Sequence, residues 1–219
     1  FKSFFFCFAF KSKMANFVAM NVQQPNNIKW SENILIADAG YIDKIAFDLI
    51  VNFERMLGRP IPPADIARWI DCIALDGGLR AGDHETQVIL LHEKDTKRLE
   101  NFLPADFKQD LDGKAFKDSL GEFVLSSIAY EDVVKKEDLL LDIIETVSSK
   151  KEVKRIMIVP DAEQDGLWDA IRHTLQQVDE EKRITLFAIQ PLMGGNFRQE
   201  ILGYSLLQAL GIKGEELKG

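Results

Sequence analysis

The chain has 219 residues, enough for one large domain, and its hydrophobic fraction of 46% suits a protein that buries a full core. Thirty-five acidic against 27 basic residues leave a net charge of −8, which argues against a protein that coats nucleic acid or an anionic membrane through bulk charge. Two cysteines, Cys7 and Cys72, are too few for a disulfide framework or a thiolate zinc site and point to a reducing cytoplasm.

Residues 1–13 are rich in Phe and flanked by lysine, with an apolar stretch far short of the ~20 residues a membrane-spanning helix needs. With the Asn-, Gln- and Pro-bearing segment that follows, residues 1–32 read as a leader and extended arm outside the fold. A single domain is expected over 33–212, with a tail at 213–219. Ile34-Leu35-Ile36-Ala37 is a short apolar run ending in Asp38, as expected of a strand covered on both faces. Apolar residues then recur at Ile42, Ile45, Ala46, Leu49, Ile50, Phe53 and Leu57, a helical stripe stopped by Gly58 and Pro60. A second helix follows Pro62-Pro63, carries Ile66, Trp69, Ile70, Ile73 and Ala74 on one side, and stops at Gly77-Gly78.

Residues 86–91 and 122–129 read as strands, while the stretch 93–120 yields no assignment. A helix is expected over 131–148, a fourth strand over 156–159, and a helix through Leu167, Ile171, Leu175 and Val178. A fifth strand over 184–189 precedes a last helix from about 196 to 210. Short buried strands alternating with amphipathic helices predict a single open, mostly parallel five-stranded sheet with helices on both faces, a Rossmann-like α/β fold.

In such sheets ligands bind beyond the carboxyl ends of the strands, and three of the five strands deliver carboxylates there. Asp38 follows the first, Glu131 and Asp132 the third, and Asp161, Glu163 and Asp165 the fourth. Carboxylates brought together repel unless a cation intervenes. Mg²⁺ or Mn²⁺ takes oxygen ligands and lowers the pKa of a bound water, which suits phosphodiester hydrolysis. Asp38, Asp132, Asp161, Glu163 and Asp165 are therefore the expected metal ligands, with Asp38, Asp161 and Asp165 as the catalytic set. His84, His92 and His173 show no zinc-ligand spacing, and no serine or cysteine is matched to a histidine base.

A structural role competes at each position. Asp38 and Asp161 precede helices and can cap them, the latter with capping-box spacing to Gln164. Gly194-Gly195-Asn196-Phe197-Arg198 supports a different function, since backbone N–H groups and an arginine fork at a turn can hold a phosphate or carboxylate, although Asn196 and Gln199 also have capping-box spacing. A non-catalytic phosphate- or small-ligand-binding domain, or a protein-interaction module, is the alternative to the nuclease.

Between Asn33 and Pro191 the pattern resembles the PIN-like superfamily and, within it, the NYN branch of ribonucleases. Ile34-Leu35-Ile36-Ala37-Asp38 is similar to that family's first strand, and the segment Tyr130-Glu131-Asp132-Val133-Val134 to its middle acidic element. Ile156-Met157-Ile158-Val159-Pro160-Asp161-Ala162-Glu163-Gln164-Asp165 looks like the last strand and its aspartates. The resemblance implies a Mg²⁺- or Mn²⁺-dependent ribonuclease acting on RNA. Two departures bear on metal ligation. Ala39-Gly40-Tyr41 stands where the family carries an Asn, and Pro160 to Asp165 replaces its Ser-Gly-Asp-x-Asp-Phe type of segment.

Overall fold

The six residues of β1 (Asn33–Asp38) are all buried, the pattern of a central strand. In the computed structural model residues 29–130 and 135–216 are described, and those from Ser31 onward fall in one compact unit. Helix α1 (Ala39–Leu57) starts directly after β1 and ends at Gly58, whose φ of 64° is the left-handed conformation that glycine adopts without strain. The two-residue β2 (Ala64–Asp65) leads into α2 (Ile66–Asp76), which buries Ile66, Trp69, Ile70, Ile73 and Ala74, the predicted stripe. Next come β3 (Glu85–Glu93), β4 (Phe102–Leu103), a single π-helical turn (Phe107–Leu111), and the hairpin of β5 (Ala115–Asp118) with β6 (Gly121–Tyr130). Helix α3 (Lys136–Ser148), β7 (Arg155–Val159), α4 (Leu167–Leu175), β8 (Arg183–Ala188), β9 (Arg198–Ile201) and α5 (Leu202–Ala209) complete the described chain.

The main sheet has the order β5-β6-β3-β1-β7-β8-β9, and every neighbouring pair is parallel except β5 with β6. Taken in chain order, its parallel strands run 3-2-1-4-5-6, the doubly wound arrangement. Leu35, Ala37, Met157 and Val159 pack on one face with buried residues of α1, α2 and α5. The alternate residues Ile34, Ile36, Ile156 and Ile158, equally buried, point to the other face, where α3 and α4 pack together. No helix among the described residues is long and apolar enough to cross a membrane.

The α/β class and the mostly parallel open sheet agree with the expectation, but the main sheet has seven strands, not five. One extra strand, β5, lies in the 93–120 stretch that gave no pattern. It is a four-residue antiparallel edge strand of alternating exposure, too short and polar to signal itself. The other, β9, replaces the start of the expected last helix. Gly194 and Gly195 take φ of 82° and 101°, and the Gln199 side chain bonds Leu192 N at 3.0 Å and Leu192 O at 2.9 Å. That turn lays residues 198–201 along the edge of β8, so the helix begins only at Leu202 and Asn196 and Gln199 form no capping box.

Away from any cavity described below, one carboxyl has an unusual titration. Asp71, on α2, faces Asp118 at the end of β5, and burial followed by that neighbouring carboxylate pushes its pKa up to about 7. Between its ordinary value of 3.8 and about 7 the folded state holds a proton that the unfolded chain has released, so stability falls as the pH rises across that window. Asp71→Asn is expected to flatten this slope and to be more stable than the parent at pH 8. Urea titrations of both proteins at pH 4.5 and 8 check it; parallel pH dependences would sink the assignment.

Candidate functional site

In the doubly wound order the connections from the central strand diverge between β1 and β7, and the crevice at their carboxyl ends is where such sheets bind ligands. Asp38 ends β1 and Asp161 follows β7 by two residues, so both reach this point. Asp38 is also the N-cap of α1. It has extended backbone (φ −73°, ψ 103°), and its Oδ1 accepts from Tyr41 N at 3.0 Å, as the capping expectation required. Asp161 does not cap. Helix α4 begins six residues later behind Gly166, with no side-chain cap, and Gln164 N bonds only the Asp161 backbone carbonyl.

The two carboxylates meet through a lysine. Lys136 Nζ lies 2.7 Å from Asp38 Oδ2 and 3.5 Å from Asp161 Oδ2, with the Asp38 side chain only 3% exposed. Burial alone would depress the Lys136 ammonium, but the two aspartates outweigh it and hold its pKa above the ordinary lysine value. Lys136 is the first residue of α3, the positive end of the helix dipole, where a cation is disfavoured. The aspartates offset that cost. The sequence does not single out Lys136: in a helix expected from residue 131 it falls in the second turn, and only the observed start puts its ammonium at the helix's positive end.

Around this ion pair lies a crevice of about 260 Å³, walled by Tyr41, Tyr130 and His92 as well as the charged trio. Burial, and then the surrounding carboxylates Glu163, Asp161 and Asp38, raise the Tyr41 phenol; Tyr130 is raised likewise by burial and by Glu93. Tyr41 Oη is buried with no hydrogen-bond partner among the described residues. His92 stacks on Phe107 at 3.9 Å between ring centroids, and burial lowers its pKa, so it is a neutral wall of the crevice at pH 7.

The other described candidates, Glu163 and Asp165, lie away from the pair. Glu163 pairs with Lys44 at 3.0 Å on the surface, Asp165 is exposed, and Glu131 and Asp132 lie outside the described residues. Among the described residues no three His, Cys, Asp or Glu side chains are grouped to hold a metal ion. Of the four expected ligands among the described residues, Asp38 and Asp161 converge; one Asp38 oxygen is committed to the helix cap, and an ammonium lies between the two carboxylates. Among the described residues this leaves two carboxylates and an ammonium, fewer oxygen donors than Mg²⁺ or Mn²⁺ takes.

A family model described as "Family of unknown function (DUF6621)" matches residues 27–217. No curated protein and no solved structure matches the chain.

Proposed function

The chain belongs to that family, and we propose that it is a cytoplasmic, non-catalytic small-ligand-binding domain built on a nuclease-like α/β scaffold. The observation that carries the reading is Lys136. An internal ammonium pairs with both carboxylates that a metal-dependent nuclease would use and offsets one of their two charges at the switch-point crevice. What the crevice then offers is small and polar: the unpartnered Tyr41 hydroxyl as a donor, the Lys136 charge, and the aromatic side chains of Tyr130 and His92, the latter with one face already covered by Phe107. A nucleoside has suitable chemistry, combining a ring for the aromatic walls with acceptors for the two donors.

The competing reading is the divergent PIN- or NYN-like ribonuclease that cleaves RNA with Mg²⁺ or Mn²⁺. The meeting of Asp38 and Asp161 beside the central strand favours it. Calorimetry separates the two. Mn²⁺ titrated into the chain is expected to give no saturable heat, and single-stranded RNA incubated with it and Mn²⁺ to stay intact. A nucleoside panel is expected to raise the melting temperature of the parent and not of Tyr41→Phe. Saturable Mn²⁺ binding that disappears in both Asp38→Asn and Asp161→Asn, together with RNA cleavage, would replace the binding domain with the ribonuclease.

A further inference from the structure

At the opposite end of the sheet, three neighbouring strands each open on an arginine: Arg155 on β7, Arg183 on β8 and Arg198 on β9. Arg155 and Arg183 are register partners, so the pleat sends both side chains to the same face on strands about 4.8 Å apart. Arg155 Nη1 and Arg198 Nη1 lie 3.2 and 3.9 Å from the point where a Cβ on Gly78 would stand. With Arg80 and Lys182 they line a cavity of about 630 Å³, whose acidic lining is confined to Asp179 and Glu180. An acidic protein has thus gathered five cations around one hollow.

The contacts that hold these groups do little to cancel their charge. Arg155 donates to Gly77 O at 2.8 Å and Asn33 Oδ1 at 3.2 Å, Arg80 Nη1 to Leu79 O at 2.9 Å, and Lys182 Nζ to the carbonyls of Lys150 and Val153. Those acceptors are neutral, so they aim the cations without pairing them. Arg198 is the exception, held by Glu200 with Nε at 2.7 Å from Oε1. Burial, and then the charges of Arg183 and Arg80, pull the Arg155 pKa below its usual value against the opposing effect of Glu32. The part of this shift that comes from Arg183 and Arg80 is repulsion that a bound anion relieves.

We propose that this cavity binds a small molecule carrying a diphosphate group. Guanidinium forks match phosphate oxygens two at a time, and arginines side by side on adjacent strands present two such forks to two linked phosphates. The volume falls in the range of small-molecule sites, and Phe197 supplies one apolar wall for an organic remainder. The site is independent of the crevice at Asp38, so it stands or falls apart from the function proposed there.

The test is calorimetry on the full chain with inorganic pyrophosphate, ADP, orthophosphate and citrate. Pyrophosphate is expected to bind saturably, at least tenfold tighter than orthophosphate or citrate, with affinity that falls as NaCl is raised. Arg183→Gln and Arg80→Gln should each weaken it at least fivefold while leaving the urea midpoint within error of the parent. ADP binding tighter than pyrophosphate would identify the ligand as a nucleotide, and equal binding would identify the diphosphate itself as what is recognised. Citrate binding as tightly as pyrophosphate, no saturable pyrophosphate heat, or unchanged affinity in both variants would each overturn the proposal.

Discussion

Lys136→Gln is expected to destabilise the protein by about 3 kcal/mol, because it leaves Asp38 buried with its charge unmatched. Removing one partner of a buried pair costs ~3–5 kcal/mol, and the lower end applies since the Lys136 side chain keeps 20% of its exposure. Asp38→Asn in the same background should recover part of the loss, giving a coupling of roughly 2 kcal/mol in a double-mutant cycle. The pH dependence has a definite sign. The folded pKa of Lys136 is raised, so the pair's contribution is complete below the ordinary lysine value of 10.5 and is lost as the pH climbs through the folded value. The gap between parent and variant should therefore be constant from pH 7 to 9 and narrow above 10.5. Urea unfolding of the four proteins of the cycle measures this, and a Lys136→Gln cost below ~1 kcal/mol would mean that the ion pair is no better than a surface one.

Gly121→Ala should cost at least as much, for a steric reason. Gly121 begins β6 with φ of 122°, and a Cβ there would stand 2.1 Å from the His84 carbonyl oxygen, a backbone atom that cannot swing away. The neighbouring Glu122 N donates to that same oxygen at 2.8 Å, so the clash lands where β6 is pinned to the start of β3. Strained backbone alone costs ~1–3 kcal/mol, and the displaced pairing should carry the total to about 4 kcal/mol. Gly58→Ala is the comparison. Its φ of 64° is also positive, but nothing lies within 4 Å of the added methyl, and a loss of only ~1–2 kcal/mol is expected. Equal losses in the two variants, by urea midpoint, would show that conformation rather than contact with His84 sets the cost at Gly121.

The nuclease resemblance and the observed crevice differ in an instructive way. Asp38 and Asp161 could be singled out because a charged residue that ends an apolar strand is conspicuous in a sequence, and both do come to the switch point. Glu163 and Asp165 share a segment with Asp161, yet the chain turns after Pro160 and carries Glu163 out to Lys44 on the surface. Proximity in sequence gave no information about which of these carboxylates would face inwards. The glycines at 194 and 195 read as a turn, and residues just beyond them line a basic hollow, but Arg198 belongs to a strand and not to a helix start.

By itself the sequence determined the α/β class, the central strand Ile34–Ala37 ending in Asp38, and the apolar stripes of α1 and α2, and it offered the aspartate cap as one of two roles for Asp38. All of these are local: a run of buried residues, a period of 3.6 and an oxygen three residues from an N–H are written along the chain and read without knowing the fold. Tertiary structure alone decided the two short edge strands, whose hydrogen bonds come from a neighbour rather than from their own composition. It alone set Lys136 between aspartates that stand 98 residues before it and 25 after it, and brought Arg80, Arg155, Arg183 and Arg198 to one end of the sheet. Charges gain their partners through space, and the strand order that closes those distances is fixed by packing and handedness, not by any one segment.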